Sequence, residues 1–170
     1  AYGVGWANVS NTPFRGYKHD GYEGGISSPF IVHWPAGIPK DQWGSIVRDP
    51  SHLIDVMPTF LEAAKGEYPD DFAGHKIQPL EGVSLKPAFN GKKLGRTDAL
   101  YFDHHLNGAI RDGQWKLVRY GDSGRNAKLH PWQLYDMEKD RSETKNLAKQ
   151  DPDRVTEMAA IWEKRWGKKK

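Results

Sequence analysis

Apolar residues recur at strand intervals in one part of this chain and at helical intervals in two others, and their order sets the expected architecture. From residue 98 onward short apolar runs alternate with turn residues. They are Leu100-Tyr101-Phe102, Ala109-Ile110-Arg111, Trp115-Lys116-Leu117-Val118-Arg119 and Trp132-Gln133-Leu134-Tyr135. Asp112-Gly113 between the second and third runs is a strong hairpin signal. Asp151-Pro152 then opens a helix with cap and first-turn proline in their usual order. Val155, Met158, Ala159, Trp162 and Trp166 follow on a single stripe, which predicts a helix covering one face of the sheet and leaving the other free. Residues 98–167 therefore read as an α+β subdomain, a small antiparallel sheet of about four strands packed by a C-terminal helix.

Upstream the pattern is sparser. Phe30-Ile31-Val32-His33-Trp34 is a continuous apolar run between Pro29 and Pro35, as expected of a buried strand in a parallel sheet. No parallel partners for it follow downstream. Asp55 is placed to cap a helix with Met57, Phe60, Leu61 and Ala64 on its inward face, Pro58 in its first turn and Gly66 closing it. Residues 67–97 read as loops, apart from a helical turn in Ser84–Phe89. The first 25 residues carry Gly3, Gly5, Gly16, Gly21, Gly24 and Gly25 with almost no periodicity, and read as a loop lining a site or another domain. The opening at Ala1, without methionine and inside this glycine-rich stretch, reads as an internal position of a longer protein, and the unpaired strand points the same way.

Composition narrows the classes. The chain has 170 residues, enough for a real core, and no cysteine, which removes disulfide scaffolds, thiolate zinc sites and cysteine nucleophiles. No apolar run approaches the ~18 residues of a membrane span. The net charge of +3 comes from Lys164, Arg165, Lys168, Lys169 and Lys170; without them acids outnumber bases. That is a solvated basic tail rather than a nucleic-acid surface, and no nucleic-acid partner is expected.

Three groups could carry chemistry. Pro13-Phe14-Arg15-Gly16-Tyr17-Lys18-His19 with Glu23-Gly24-Gly25 puts cations in a glycine-rich loop, where backbone N–H groups approach an oxyanion closely. By residue chemistry alone a solvated loop explains it as well. Asp103-His104-His105-x-Asn107 lies at a strand end; on a regular strand His104 and His105 point to opposite faces, which argues against a metal site. One cleft-facing histidine and a histidine merely satisfied at a strand end both stand as readings. Of the seven tryptophans, core packing is expected for all but Trp6 and Trp43.

Together these segments resemble the C-terminal region of arylsulfatase-type, formylglycine-dependent sulfatases. Phe14-Arg15-Gly16-Tyr17-Lys18 and Glu23-Gly24-Gly25-Ile26-Ser27-Ser28-Pro29-Phe30-Ile31-Val32-His33-Trp34-Pro35 are similar to the stretch entering the last strand of the family's large domain. Asp55-Val56-Met57-Pro58-Thr59 resembles its Asp-x-x-Pro-Thr helix start, and Gly82-Val83-Ser84-Leu85 its Gly-x-Ser-Leu turn. Ala109–Leu117 resembles its C-terminal hairpin, and Leu134-Tyr135-Asp136 through Glu143-Thr144-Lys145-Asn146-Leu147 its closing motif. The likeness runs from about Thr12 to Trp166. Tyr22 replaces a histidine common before Glu-Gly-Gly, and Gly108 replaces a common arginine after Asn107.

The resemblance implies residues 1–66 as the tail end of a large α/β, alkaline-phosphatase-like domain, with its last strand and helix, then connecting loops at 67–97, the subdomain at 98–167 and a basic tail at 168–170. It implies a sulfuric ester hydrolase in which Lys18 is catalytic, contacting the sulfate group, while His104, Asp103 and Asn107 bind substrate. It also implies calcium and a formylglycine nucleophile, neither sited in this chain. The motif Cys/Ser-x-Pro/Ala-x-Arg is absent, Ser27-Ser28-Pro29-Phe30-Ile31 lacks its arginine, and Asp70-Asp71 does not match the metal-binding aspartate pair. The chain is therefore expected to be inactive alone, to need the missing N-terminal part of the same enzyme, and to belong to a periplasmic or secreted protein. A sulfated-glycan-binding module and a phosphodiesterase-like relative are the alternative readings.

Overall fold

A computed structural model describes residues 3–122 and 127–166. The chain divides into two compact units, Ala1–Phe30 with Asp98–Lys170, and Ile31–Thr97. Residues 1–30, grouped with 31–66 in the sequence reading, thus belong to the sheet unit.

That unit opens with α1 (Val4–Ser10), unexpected from the pattern because none of its residues is buried. Asn8, Ser10, Asn11 and Thr12 bond side chain to the carbonyl four residues back, a local stabilisation that leaves no hydrophobic period to read. A short helical turn, α2 (Glu23–Ile26), follows.

The sheet is a four-stranded antiparallel meander whose strands, β3 (Leu100–His104), β4 (Asn107–Asp112), β5 (Trp115–Arg119) and β6 (Gln133–Asp136), take their numbers after a two-stranded ribbon described below. Ile110 opposite Leu117, and Leu117 opposite Leu134, put one apolar set on one face; Ala109 opposite Val118 starts the other. The β4–β5 loop is Gly113-Gln114, one residue later than the Asp-Gly signal suggested, with Gly113 at positive φ in the first central position. A two-residue hairpin of that kind is compatible with strand twist.

The first face is closed by α5 (Pro152–Trp166), as expected. Asp151 accepts from the Arg154 N–H at 3.1 Å and so caps the first turn. Met158 and Trp162 pack on Ile110, Leu117 and Leu134. Trp162 lies against Gly108, where a Cβ would sit 2.8 Å from the indole, and its Nε1 donates to the Phe102 carbonyl at 3.1 Å. Glycine at 108 thus seats the largest fully buried side chain. Trp166 departs from the expected core and is exposed, because it falls in the last turn. Lys164 and Arg165, read as part of a solvated tail, are helical, with Arg165 6.0 Å over the Tyr101 ring. The basic tail at 168–170, with Gly167, lies outside the described residues.

The second face is not free. The segment around Tyr22 lies on it, packing with Ala109, Val118, Tyr135 and Met137. Sheet residues on both faces are consequently buried, and β5 shows no polar alternation at its centre.

The second unit holds 3₁₀ turns at Lys40–Gln42 and Leu53–Asp55, α3 (Val56–Ala64), the ribbon of β1 (Asp71–Phe72) and β2 (His75–Lys76), and α4 (Lys86–Phe89). The ribbon was not expected in the 67–97 loops; the helical turn was. Leu85, Ala88 and Leu94 form its small core. Asp55 does not cap α3 with its side chain. It is fully buried and accepts from His52 N–H at 2.7 Å and Val83 N–H at 2.9 Å, and it pairs with Arg96 at 2.5 Å. Thr59 donates to the Asp55 carbonyl at 2.6 Å and accepts from Leu85 N–H at 2.8 Å. The Asp-x-x-Pro-Thr segment is thus a polar clamp on residues 83–85. The expected inward face of α3 is overturned: Met57, Phe60 and Ala64 are exposed, Leu61 is half-buried, and Thr59 is the buried residue. Lys65, not Gly66, takes the left-handed closing position, with φ 54.

Phe30–Trp34 forms no strand and pairs with none among the described residues; Ile31 is 87% exposed. Extended backbone without a hydrogen-bonded neighbour has no ladder to join.

Candidate functional site

The glycine-rich segment is anchored to the second face of the sheet by a buried charge network. Lys116, in the middle of β5, has no exposed surface. Its Nζ donates to Glu23 Oε1 at 2.9 Å and lies 2.8 Å from Glu143 Oε1. The Glu23 N–H donates to Glu143 Oε2 at 2.6 Å, and Arg141 donates to Glu23 Oε2 at 3.0 Å and to Ser27 Oγ at 3.3 Å. Burial works to raise the Glu23 carboxyl, but the attraction of Lys116 and the bond from Arg141 outweigh it and leave it below the usual range. Glu143 shifts the other way: burial dominates, and Lys116 offsets only part of it.

Arg15 and Tyr22 add a second layer. Arg15 donates to the Tyr135 hydroxyl at 3.0 Å and lies 4.2 Å over the Tyr22 ring, whose hydroxyl donates to Gln133 at 2.9 Å. Burial pushes the Tyr22 phenol well up, against the pull of Arg15. The loop closes on itself at Gly24, where a Cβ would overlap the Gly16 carbonyl oxygen and where the N–H bonds Arg15 O at 2.8 Å. This close approach is a physical reason for glycine at 24.

Anchored at both ends, residues 17–20 turn tightly: Asp20 accepts from Tyr17 N–H at 3.1 Å, and Lys18 has φ 47 with its side chain exposed. Asn107 reaches this turn, donating Nδ2 to the His19 carbonyl at 3.0 Å while its Oδ1 accepts from Gly121 N–H at 3.2 Å. The His19 ring stacks on His104 with centroids 4.6 Å apart and planes 5° off parallel; Nδ1 of His19 and Nε2 of His104 are 2.6 Å apart. His105 lies edge-on at 4.3 Å from His104 and 6.2 Å from His19.

Of the site residues expected from sequence, the fold brings His104 and Asn107 onto the loop that carries Lys18. Asp103, one residue back on β3, lines the helix-facing side of the hairpin with Arg119 and Trp162. Two imidazoles were missed. His105 was set aside by strand alternation, but the strand stops at His104, and His105 turns to φ 55 in a two-residue loop closed by His104 opposite Asn107. That loop length between two strand-like runs is the signal that could have found it. His19 had no signal beyond adjacency to Lys18, because its contact spans 85 residues. The described residues include no group of three or more His, Asp or Glu placed to hold a metal ion.

Comparison with known proteins follows the same segments. A family model described as N-sulphoglucosamine sulphohydrolase, C-terminal, matches residues 17–166. An uncharacterized sulfatase of Schizosaccharomyces pombe is 32% identical over 95% of this chain and 28% of its own length. An N-acetylgalactosamine-6-O-sulfatase of Bacteroides thetaiotaomicron is 30% identical over 88% of this chain and 29% of its own. The solved structure of Ps i-CgsB superposes with a TM-score of 0.67 at 28% identity, over 92% of this chain and 32% of that one. The chain thus spans about three tenths of the length of each of these three proteins.

Proposed function

Starting from the fact that this chain belongs to the N-sulphoglucosamine sulphohydrolase C-terminal family, we propose that the whole protein hydrolyses sulfate esters and that this portion supplies the Lys18 loop and the His104 hairpin to its substrate site. The observation that carries the reading is the placement of Lys18, exposed in a left-handed turn braced by Asn107 and by the His19–His104 stack. An ammonium carried on such a turn neutralises charge growing on sulfate oxygens as the S–O bond breaks. Loss of such stabilisation costs ~3 kcal/mol in the barrier, or roughly 100-fold in rate. His104 and Asp103 are assigned to substrate contact. Asn107 spends its amide on the loop, so in this reading it positions Lys18 and His19.

The formylglycine nucleophile and the calcium that the family implies belong, in this reading, to the remainder of the whole protein. The described residues do not form a calcium cage. Exposed apolar side chains of the second unit, among them Ile31, Leu53 at 81% and Phe60 at 65%, support a further body that covers them. A periplasmic or secreted location accompanies the same reading. Lys18→Ala in the whole protein tests it: turnover of a sulfate ester is expected to fall about 100-fold with folding intact, and wild-type turnover would refute the assignment.

A further inference from the structure

We infer that the cavity on the helix-facing side of the β3–β4 hairpin is a subsite for an oxyanion borne on a sugar ring, a carboxylate or a sulfate, with Arg119 as its charged ligand. The inference rests on the proposed sulfate-ester activity and narrows its substrate class to acidic saccharides.

The cavity holds about 150 Å³ and is lined by Asp103, His105, Asn107, Arg119, Leu129 and Trp162, among others. Arg119 is only 8% exposed, and its Nε is buried without a hydrogen-bond partner. No ion pair among the described residues uses its guanidinium. The contrast with the other deeply placed cations is direct, since Lys116 meets two carboxylates and Arg96 meets Asp55. What Arg119 does have is two indoles, Trp132 at 4.4 Å and Trp162 at 4.6 Å from Cζ. These stabilise the cation and hold its plane but accept no hydrogen bond. Burial pulls the guanidinium below its usual range, and Glu163 and Asp103 offset only part of that. A buried cation left in this condition is costly unless an anion arrives.

Ligand shape follows from the donors. A planar, immobilised guanidinium matches the two oxygens of a carboxylate or the face of a sulfate. A volume of about 150 Å³ corresponds to roughly five waters, room for one such group and the carbon bearing it. Asp103 on the same wall disfavours a bare dianion, yet it can accept from a hydroxyl, and a sugar ring carries hydroxyls beside its charged substituent. That combination selects a saccharide over inorganic sulfate.

The test titrates the whole protein with methyl β-D-glucuronide, with N-acetylgalactosamine 6-sulfate and with neutral methyl β-D-glucoside. The readouts are tryptophan fluorescence and the Arg119 Nε–H resonance. A saturable response to one or both charged sugars, absent with the glucoside and at least tenfold weaker in Arg119→Gln, is the expected result; which sugar responds identifies carboxylate or sulfate. No saturable response, an equal response to the glucoside, or a response lost in Lys18→Ala but kept in Arg119→Gln overturns the inference. The last outcome would leave the Lys18 assignment standing. Should Arg119→Gln unfold, the wild-type Nε–H resonance decides, since it must shift with the charged sugar and not with the glucoside.

Discussion

Replacing Lys116 by methionine keeps the stem and most of the volume while deleting one ammonium from the face that carries the Lys18 loop. Glu23 would retain Arg141 at 3.0 Å, whereas Glu143 would retain only the Glu23 N–H at 2.6 Å. A buried carboxylate is thereby left without a cation, a loss of ~3–5 kcal/mol, against a total stability of ~5–15 kcal/mol for an ordinary domain. The pH dependence gives the prediction its edge. The Glu143 carboxyl already stands above its unfolded value through burial, with Lys116 pulling it down, so deletion raises it further. Between the unfolded and folded values the native state holds an extra proton, so stability falls as pH rises through that window and returns as pH falls. The slope is at most ~1.4 kcal/mol per pH unit for one proton. Urea unfolding followed by tryptophan fluorescence should therefore show a larger deficit at pH 8 than at pH 5. The Lys116→Met, Glu143→Gln double variant should recover part of the loss and most of the pH dependence. A Lys116→Met midpoint equal to wild type at pH 8, or a deficit identical at both pH values, would refute the account of the network.

Three further outcomes are expected besides the Lys18→Ala result. Trp162→Ala removes the largest fully buried side chain from over Gly108 and should cost ~3–5 kcal/mol in urea unfolding; a loss under ~1 kcal/mol would show that the helix does not depend on it. Asp55→Asn leaves Arg96 without its buried carboxylate, at a cost of ~3–5 kcal/mol, and limited proteolysis should cut first within residues 31–97; unchanged protection would contradict the clamp. Glu23, held below its usual range in the fold, contributes stability that is present above its unfolded value and lost as pH falls through the folded one. Stability of Glu23→Gln should accordingly decline less steeply below about pH 4.5 than that of wild type, and parallel acid limbs would count against the assignment.

Much of the sheet unit was legible in the sequence because its signals are local. Four strand-like runs with turn residues between them, and a capped helix with one apolar stripe, specify a meander and its cover through backbone periodicity alone. The Lys18 loop and the His104 hairpin were legible too, as residue types and through likeness to a family. The tertiary structure alone decided what the periodicities pack against. Lys116 lies in an ordinary-looking strand, and its burial between Glu23 and Glu143 depends on contacts across 93 and 27 residues. That closure turned the expected free face of the sheet into a second core. His19, His105 and Arg119 escaped for the same kind of reason: a stack across 85 residues, a left-handed residue just past the end of a strand, and a cation seated between the indole of Trp132, which precedes β6, and that of Trp162 on α5. The reverse holds for Phe30–Trp34 and the apolar stripe of α3. Hydrophobicity marks both for burial, but it cannot name the surface that buries them, because burial is a property of the neighbours and not of the run itself.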